Sequence, residues 1–250
     1  METLETKYRI QTTSFSLHVM AMAFMLCDHL WATFMTNQEW MTCVGRVAYP
    51  IFAFMIVEGY FHTSNLKAYV KRLFLFALLS EIPFNLVMGS RLFFPIHQNV
   101  LFTFLIGISL IWLNEIARKK GNLWISILTG AGTVVLGTVL GIVTFVDFYN
   151  GGVLMILTFY FFRGRKWWCY AGQLAAMYYI NWEILSGFSY ELELFGEPFF
   201  FVRQGFALLA LIPIWLYRDE QGYHSKGFKY FCYGFYPIPL LVLGILMMLV

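Results

Sequence analysis

Charge is what this chain has least of. Asp, Glu, Lys and Arg make up 12% of its 250 residues, whereas 60% are hydrophobic. Too few polar groups are present to cover a soluble surface of this size, and the mean hydropathy of +0.66 agrees, so a polytopic membrane protein is expected. Cysteine is scarce as well. Cys27, Cys43, Cys169 and Cys232 stand without CxxC spacing, which predicts no structural metal and no metal cofactor. At least Cys27, Cys169 and Cys232 read as packing residues, and a disulfide through Cys43 has little in its favour. The opening METLETKYRI lacks the basic region, short apolar core and small-residue cleavage site of a removed signal, so residues 1–250 are expected to be a single mature domain. No clear internal repeat is found, and no nucleic-acid partner is expected.

What fills the chain instead is a series of apolar stretches, each about long enough to cross a ~30 Å hydrocarbon core. Nine are read, at 13–34, 44–61, 69–89, 98–117, 123–145, 149–162, 167–185, 199–217 and 229–249, the second and sixth being short enough to be tilted, broken or re-entrant. The fold class is therefore an all-α polytopic bundle. Basic residues orient it, because Lys and Arg in short loops favour the cytoplasm. With the N-terminus inside, the inner segments hold Lys7 and Arg9; Lys67, Lys71 and Arg72; Arg118, Lys119 and Lys120; Arg163, Arg165 and Lys166; and Arg218, Lys226 and Lys229, or 14 of the 17 basic residues. Arg46, Arg91 and Arg203 remain for the outer ends, where the loop SGFSYELELFGEP is acidic. The C-terminus then lies outside, and a plasma or inner membrane is the expected location.

Polar residues inside these stretches are costly and usually functional. They collect in the outer half: Asp28 and His29 in the first span, Arg46 opening the second, Glu81 and Asn85 in the third, His97, Gln98 and Asn99 opening the fourth, and Asp147 with Asn150 between the fifth and sixth. Glu58 and His62 lie toward the inner end. His18 and His29 are eleven residues apart, which returns them to within about 20° of one helical face, with Met22 and Met25 between, over ~16 Å. That stripe is expected to line an internal cavity. Gly137 and Gly141 form a GxxxG pair suited to close helix packing, and Pro50 and Pro83 are expected to kink their helices beside charged groups.

Histidine is the leading candidate base, since its ordinary pKa near 6.5 suits proton transfer at neutral pH. Asp28 and Glu81 are alternative carboxylate partners for it, because adjacent positions point about 100° apart on a helix. Arg46 could hold a phosphate or an acyl oxyanion, or neutralise Asp28. Glu58 could bind substrate, snorkel to headgroups or pair with Lys67.

The strings CDHL, VGRVAYPIFAFMIVEGYFHT, KRLFLFALLSEIPFNL and HQNVLFTFLIGI, followed in order by VDFYNGGVLMIL, FALLALIPIWLY and KYFCYGFYP, resemble the TraX family of integral-membrane proteins. The family's name-giving member acetylates the N-terminal amine of conjugative pilin, and the family is grouped with multi-spanning acyltransferases that use a membrane-embedded histidine and acyl-CoA. The resemblance implies transfer of an acetyl or similar group from acetyl-CoA to an extracytoplasmic acceptor, a protein amine, peptide, sugar or lipid headgroup. His29, with Asp28 and Glu81, would be catalytic. Arg46, Glu58, His18, His97 and Asn99 would bind substrate. Where the pattern Tyr-Pro-x-His is expected in the last span, the chain reads Tyr236-Pro237-Ile238-Pro239. A cytosolic donor would enter from the basic side, where Lys71, Arg72 or the 118–120 run could meet the CoA phosphates. A proton- or ion-coupled transporter and a scaffold that docks a secreted partner are the other classes these residues allow.

Overall fold

In the computed structural model, residues 11–194 and 196–249 are described; Lys7 and Arg9 of the expected inner tail lie outside the described residues. The chain runs α1 (Ser14–Thr33), α2 (Glu39–Gly45), α3 (Ala48–His62), α4 (Leu66–Gly89), α5 (Val100–Lys119), α6 (Leu123–Val143), α7 (Tyr149–Phe161) and α8 (Trp167–Tyr179). A π-helical turn, Ile180–Ile184, extends α8 before the strands β1 (Ser189–Leu194) and β2 (Glu197–Val202). A 3-10 segment, Arg203–Ala210, then leads into α9 (Leu211–Leu216), α10 (Lys226–Gly234) and α11 (Pro237–Leu249).

Side-chain caps start several of these helices. Thr13 and Ser16 form a reciprocal capping box at α1, while Asn65, Asn99, Asn122 and Ser225 accept backbone N–H groups at α4, α5, α6 and α10. Each meets donors that a helix leaves unpaired at its start. Pro50 falls in the first turn of α3, just past a break at Arg46 and Val47. Pro83 sits inside α4 and removes one ladder donor there.

Six helical stretches are long and apolar enough to cross a membrane: Ser14–Thr33, Glu39–His62, Leu66–Gly89, Val100–Lys119, Leu123–Val143 and Lys226–Leu249. The others expected from sequence are shorter or irregular. At 1.5 Å per residue, the 13 residues of α7 reach about 20 Å, less than a hydrocarbon core. The Arg203–Leu216 stretch is half 3-10 helix. The expected all-α class also needs amending. The acidic loop expected outside folds as an antiparallel hairpin in which Tyr190 faces Phe201 and Leu192 faces Phe199, because SYELEL alternates apolar and charged residues with the period of a strand.

The core centres on α3, which buries Tyr49, Ile51, Ala53, Phe54, Ile56 and Val57, and on α7, which buries Val153, Met155, Ile156 and Phe159. By contrast α6 buries a single stripe, Gly130, Thr133, Gly137 and Gly141, and leaves Leu128, Val135 and Val143 exposed to the hydrocarbon. The GxxxG pair does pack closely. A Cβ on Gly141 would lie 2.5 Å from Asn150 Cα, and one on Gly137 2.9 Å from Val153 Cγ1.

The bundle has two chemically distinct ends. At the basic end the chain at Thr12 bridges to Tyr217, the Ser14 N–H donates to the Glu220 carbonyl, and Glu58 and His62 meet Arg163 and Asp219. At the opposite, hairpin end, Gln98 bridges to Val146 and Arg203 lies over the rings of Trp31 and Phe188.

Candidate active site

At the hairpin end, Asp28 of α1 is held by Arg46, whose Nη2 lies 2.5 Å from Oδ1 and 2.6 Å from Oδ2. Thr42 Oγ1 donates to the same carboxylate at 2.8 Å. The approach depends on Gly45, where any Cβ would collide with Asp28. Arg46 continues outward: Nε faces the Thr42 carbonyl, and Nη1 donates to Gln204 Oε1. Gln204 Nε2 donates to Asn181 Oδ1 at 3.0 Å, inside the π-helical turn. A single guanidinium thus ties together α1, α2, the 3-10 segment and the end of α8. All of its nitrogens are engaged, so Arg46 is committed to Asp28 and the scaffold rather than free for a phosphate or oxyanion.

His29 points elsewhere. Among the described residues its ring makes no hydrogen bond and no ion pair, and neither Asp28 nor Glu81 meets it. Glu81 instead accepts from Asn99 Nδ2 at 2.6 Å, while the same amide nitrogen donates to the Ala77 carbonyl at 2.9 Å and Asn99 Oδ1 caps α5. Asn99, fully buried, is therefore a structural joint between α4 and α5.

Asp147 emerges as the carboxylate of the centre. His97 Nε2 lies 3.5 Å from its Oδ1, buried and without a closed hydrogen bond, with its ring parallel to Tyr149 and edge-on to Phe84. The turn that presents Asp147 is strained. Phe145, Phe148 and Tyr149 all take positive φ, at 52°, 59° and 44°, a costly arrangement for bulky residues that often marks a functional site. Thr103 fixes the turn by donating to the Asp147 carbonyl at 2.8 Å. Beside it, Tyr49 is stacked between Phe104 and Phe148 with its buried hydroxyl unpartnered.

A cavity of about 590 Å³ opens from the basic end. His62, Asp219, His224 and Lys229 line its outer part, His18, Tyr69 and Arg72 follow, and Met22, Met25, Leu101, Phe104 and Tyr236 line its inner part. The expected stripe is thus lined from His18 through Met25, and the cavity stops short of His29. His18 is oriented by its Nδ1, 2.8 Å from the Ser14 carbonyl. Arg72 carries a buried Nε with no partner, whereas Lys71 is exposed and does not line the cavity. Glu58 lines it too, but takes Arg163 Nε at 2.8 Å and Nη2 at 3.0 Å rather than Lys67. Glu58, His62 and Asp219 bring ligand atoms within 4.8 Å of one another. Arg163 already satisfies both Glu58 oxygens, so this grouping reads as an ion-pair network rather than a metal centre.

Asp28, His29 and Arg46, expected together in the outer half, lie toward the hairpin end, where Asp28 and Arg46 meet. The structure brings Glu58, His18 and Arg72 to one cavity at the other end. Sequence reasoning missed Asn181, Gln204 and Tyr49, and it placed Asp147 in the outer polar cluster without giving it a role; a strained turn and neutral polar atoms leave little trace in composition.

The family model described as TraX protein matches residues 15–247. The chain belongs to the TraX family. Among curated proteins this TraX-family chain is 33% identical over 105 residues to a probable fimbrial assembly protein, FimC of serogroup H1, from Dichelobacter nodosus. The match takes in 38% of the chain and 43% of that relative's length. No solved structure matches it. Family membership together with six membrane-length apolar helices makes this a TraX-family membrane protein.

Proposed function

We propose that this TraX-family protein is a membrane-embedded acyltransferase that takes an acetyl group from cytosolic acetyl-CoA and passes it to an amine or hydroxyl acceptor at the outer side. The carrying observation is the cavity: it opens among basic residues, holds the unpartnered Arg72 Nε, and ends deep in the bundle among Leu101, Phe104 and Tyr236. Arg72 and Lys229 supply the charge that CoA phosphates need, and the apolar depth suits a thioester arm. The nine-span topology, with the N-terminus cytoplasmic and the C-terminus outside in the inner membrane, goes with this reading, the shorter stretches completing the crossings. His29 is the base, with Asp147 stabilising its charged form, and His97 shares that carboxylate. Asp28 and Arg46 hold the first two spans in register. The fimbrial assembly relative and the family's pilin chemistry favour a pilin-like protein amine as the acceptor.

The test is purified protein with acetyl-CoA, following CoA release and the gain of one acetyl group on candidate acceptors, for the wild type beside His29→Ala and Asp147→Asn. Turnover that disappears in variants which still fold and bind acetyl-CoA supports the reading. Acetyl-CoA that neither binds nor turns over in the wild type overturns it, and substrate flux without chemical change would identify a transporter instead.

A further inference from the structure

A second recess, of about 1080 Å³, lies at the basic end, bounded by α5, α6 and the junction of α7 with α8. Arg118, Tyr160 and Arg163 form its polar side, and Leu123, Ile127, Val134 and Phe161 its apolar side. Leu123, Ile127 and Val134 are exposed on the membrane-length α6, so this wall faces acyl chains. Asn114 Nδ2 donates to Thr133 Oγ1 at 2.8 Å and ties α5 to α6 beneath the recess, while the small residues Gly130 and Ala131 keep its floor open. Glu115 braces the polar side: its Oε1 accepts from Arg118 Nη1 and from the Tyr160 hydroxyl, each at 2.8 Å. Among the described residues no acceptor meets the Nε or Nη2 of Arg118. Arg163 gives Nε and Nη2 to Glu58 and keeps Nη1. The turns beside the recess, 118–121 and 163–166, add Lys119, Lys120, Arg165 and Lys166 and hold no acidic residue.

We propose that this recess binds one anionic glycerophospholipid, its phosphodiester on Arg118 and Arg163 and an acyl chain along Ile127, Ala131 and Val134. Those three positions recur at i, i+4 and i+7 and so share one face of α6. Basic runs orient a membrane protein wherever they stand. Orientation alone, however, asks neither for a guanidinium braced by a carboxylate nor for an apolar recess that leads from it into lipid. A phosphate oxygen accepts from the two Arg118 nitrogens left over, as charge-assisted hydrogen bonds, and a basic recess between helices is where an acidic headgroup gains most. A zwitterionic head would bring a second, positive group among the surplus cations, so the selection is for net negative charge. An acyl chain in the recess exchanges one apolar contact for another; it fixes the position of the lipid, and the head decides which lipid binds. The site does not depend on the acyltransferase reading.

The experiment is native mass spectrometry of the full-length protein in detergent with phosphatidylglycerol and phosphatidylcholine of identical chains in equal amounts. Three variants stand beside the wild type. Arg118→Met removes the head contact, Ala131→Trp fills the recess with every charge in place, and Lys67→Met removes an exposed cation of the same end that lines neither recess nor cavity. The wild type should retain one phosphatidylglycerol per chain in preference to phosphatidylcholine. Arg118→Met and Ala131→Trp should each lower that retention by about fivefold or more, and Lys67→Met should leave it unchanged. No preference in the wild type, unchanged retention in either recess variant, or an equal loss in Lys67→Met overturns the site. If Arg118→Met does not fold, Ala131→Trp decides the matter alone. Displacement of the adduct by an equal concentration of glycerol phosphate would make this a free-phosphate site, and a dimer mass in place of lipid adducts would give the recess to a second copy of the chain; either overturns the lipid.

Discussion

Breaking the Asp28–Arg46 pair from one side should cost far more than removing it whole. At 2.5 Å, with 21% and 23% of the side chains exposed, an effective dielectric near 20 gives an attraction of roughly 6–7 kcal/mol. Desolvation of two charges takes back much of that. Arg46→Met forfeits the attraction yet leaves the Asp28 carboxylate desolvated with only Thr42 to serve it, and it frees Gln204 as well, so a loss of about 3–5 kcal/mol is expected. For a chain of this length that corresponds to a fall in Tm of roughly 6–20 °C. Asp28→Leu with Arg46→Met removes both charges and should regain most of the loss, which gives a coupling energy above about 2 kcal/mol in a double-mutant cycle. The assay is thermal unfolding in detergent of the wild type, both single variants and the double, followed by acetyl-CoA turnover of the double. Additive single losses would refute the pairing as the source of stability. A double variant that is as stable as the wild type but has lost all turnover would refute the structural assignment and make one of the two residues catalytic.

Gly141→Ala puts a Cβ against the Asn150 backbone, which cannot move aside as a side chain can, so about 1–3 kcal/mol of stability should be lost, readable as a lower Tm. Asn99→Ala removes the α5 cap and strands Glu81; a loss of about 1–2 kcal/mol is expected for the cap alone, and Glu81→Gln in the same background should restore part of the loss if the carboxylate is the stranded group. Arg72→Met should weaken acetyl-CoA binding about tenfold in equilibrium titration, while Lys71→Met should leave it unchanged. On the hairpin, burial and then the Cys43 and Glu39 contacts push the Tyr190 hydroxyl well above the usual tyrosine range, so it donates to Glu39 at 2.6 Å as a neutral group. A raised folded pKa favours the protonated form. The contribution is therefore complete below pH ~10 and fades only as the pH climbs through the higher folded value, and an alkaline absorbance titration that shows Tyr190 ionising at an ordinary tyrosine pKa would contradict it.

Burial in lipid follows from residue type alone, and so the apolar stretches and the basic runs between them were legible: Leu66–Gly89 and Val100–Lys119 lie within a few residues of where composition puts them. Asp28 and His29 stood out because charge is costly there. Hydropathy does not report length after bending, which is why α7 and the 3-10 segment read as full spans. The hairpin had a signal, the alternation Tyr190-Glu191-Leu192-Glu193, but it competed with an apolar run beginning at Phe199. Asn181, Gln204 and Tyr49 were invisible because amides and phenols cost little in a sequence count and become informative only when their partners, or lack of partners, are known.

By itself the sequence determined the solvent, the rough extent of the long apolar helices and the separation of basic from acidic ends, since each depends on the local balance of transfer free energies. Tertiary structure alone decided who meets whom. Asp28 and Arg46, 18 residues apart, and Arg46 and Gln204, 158 apart, meet because packed helices fix where each side chain ends. The same packing gave Glu81 to Asn99 and set His97 opposite Asp147, because a charge takes its role from the few ångströms around it.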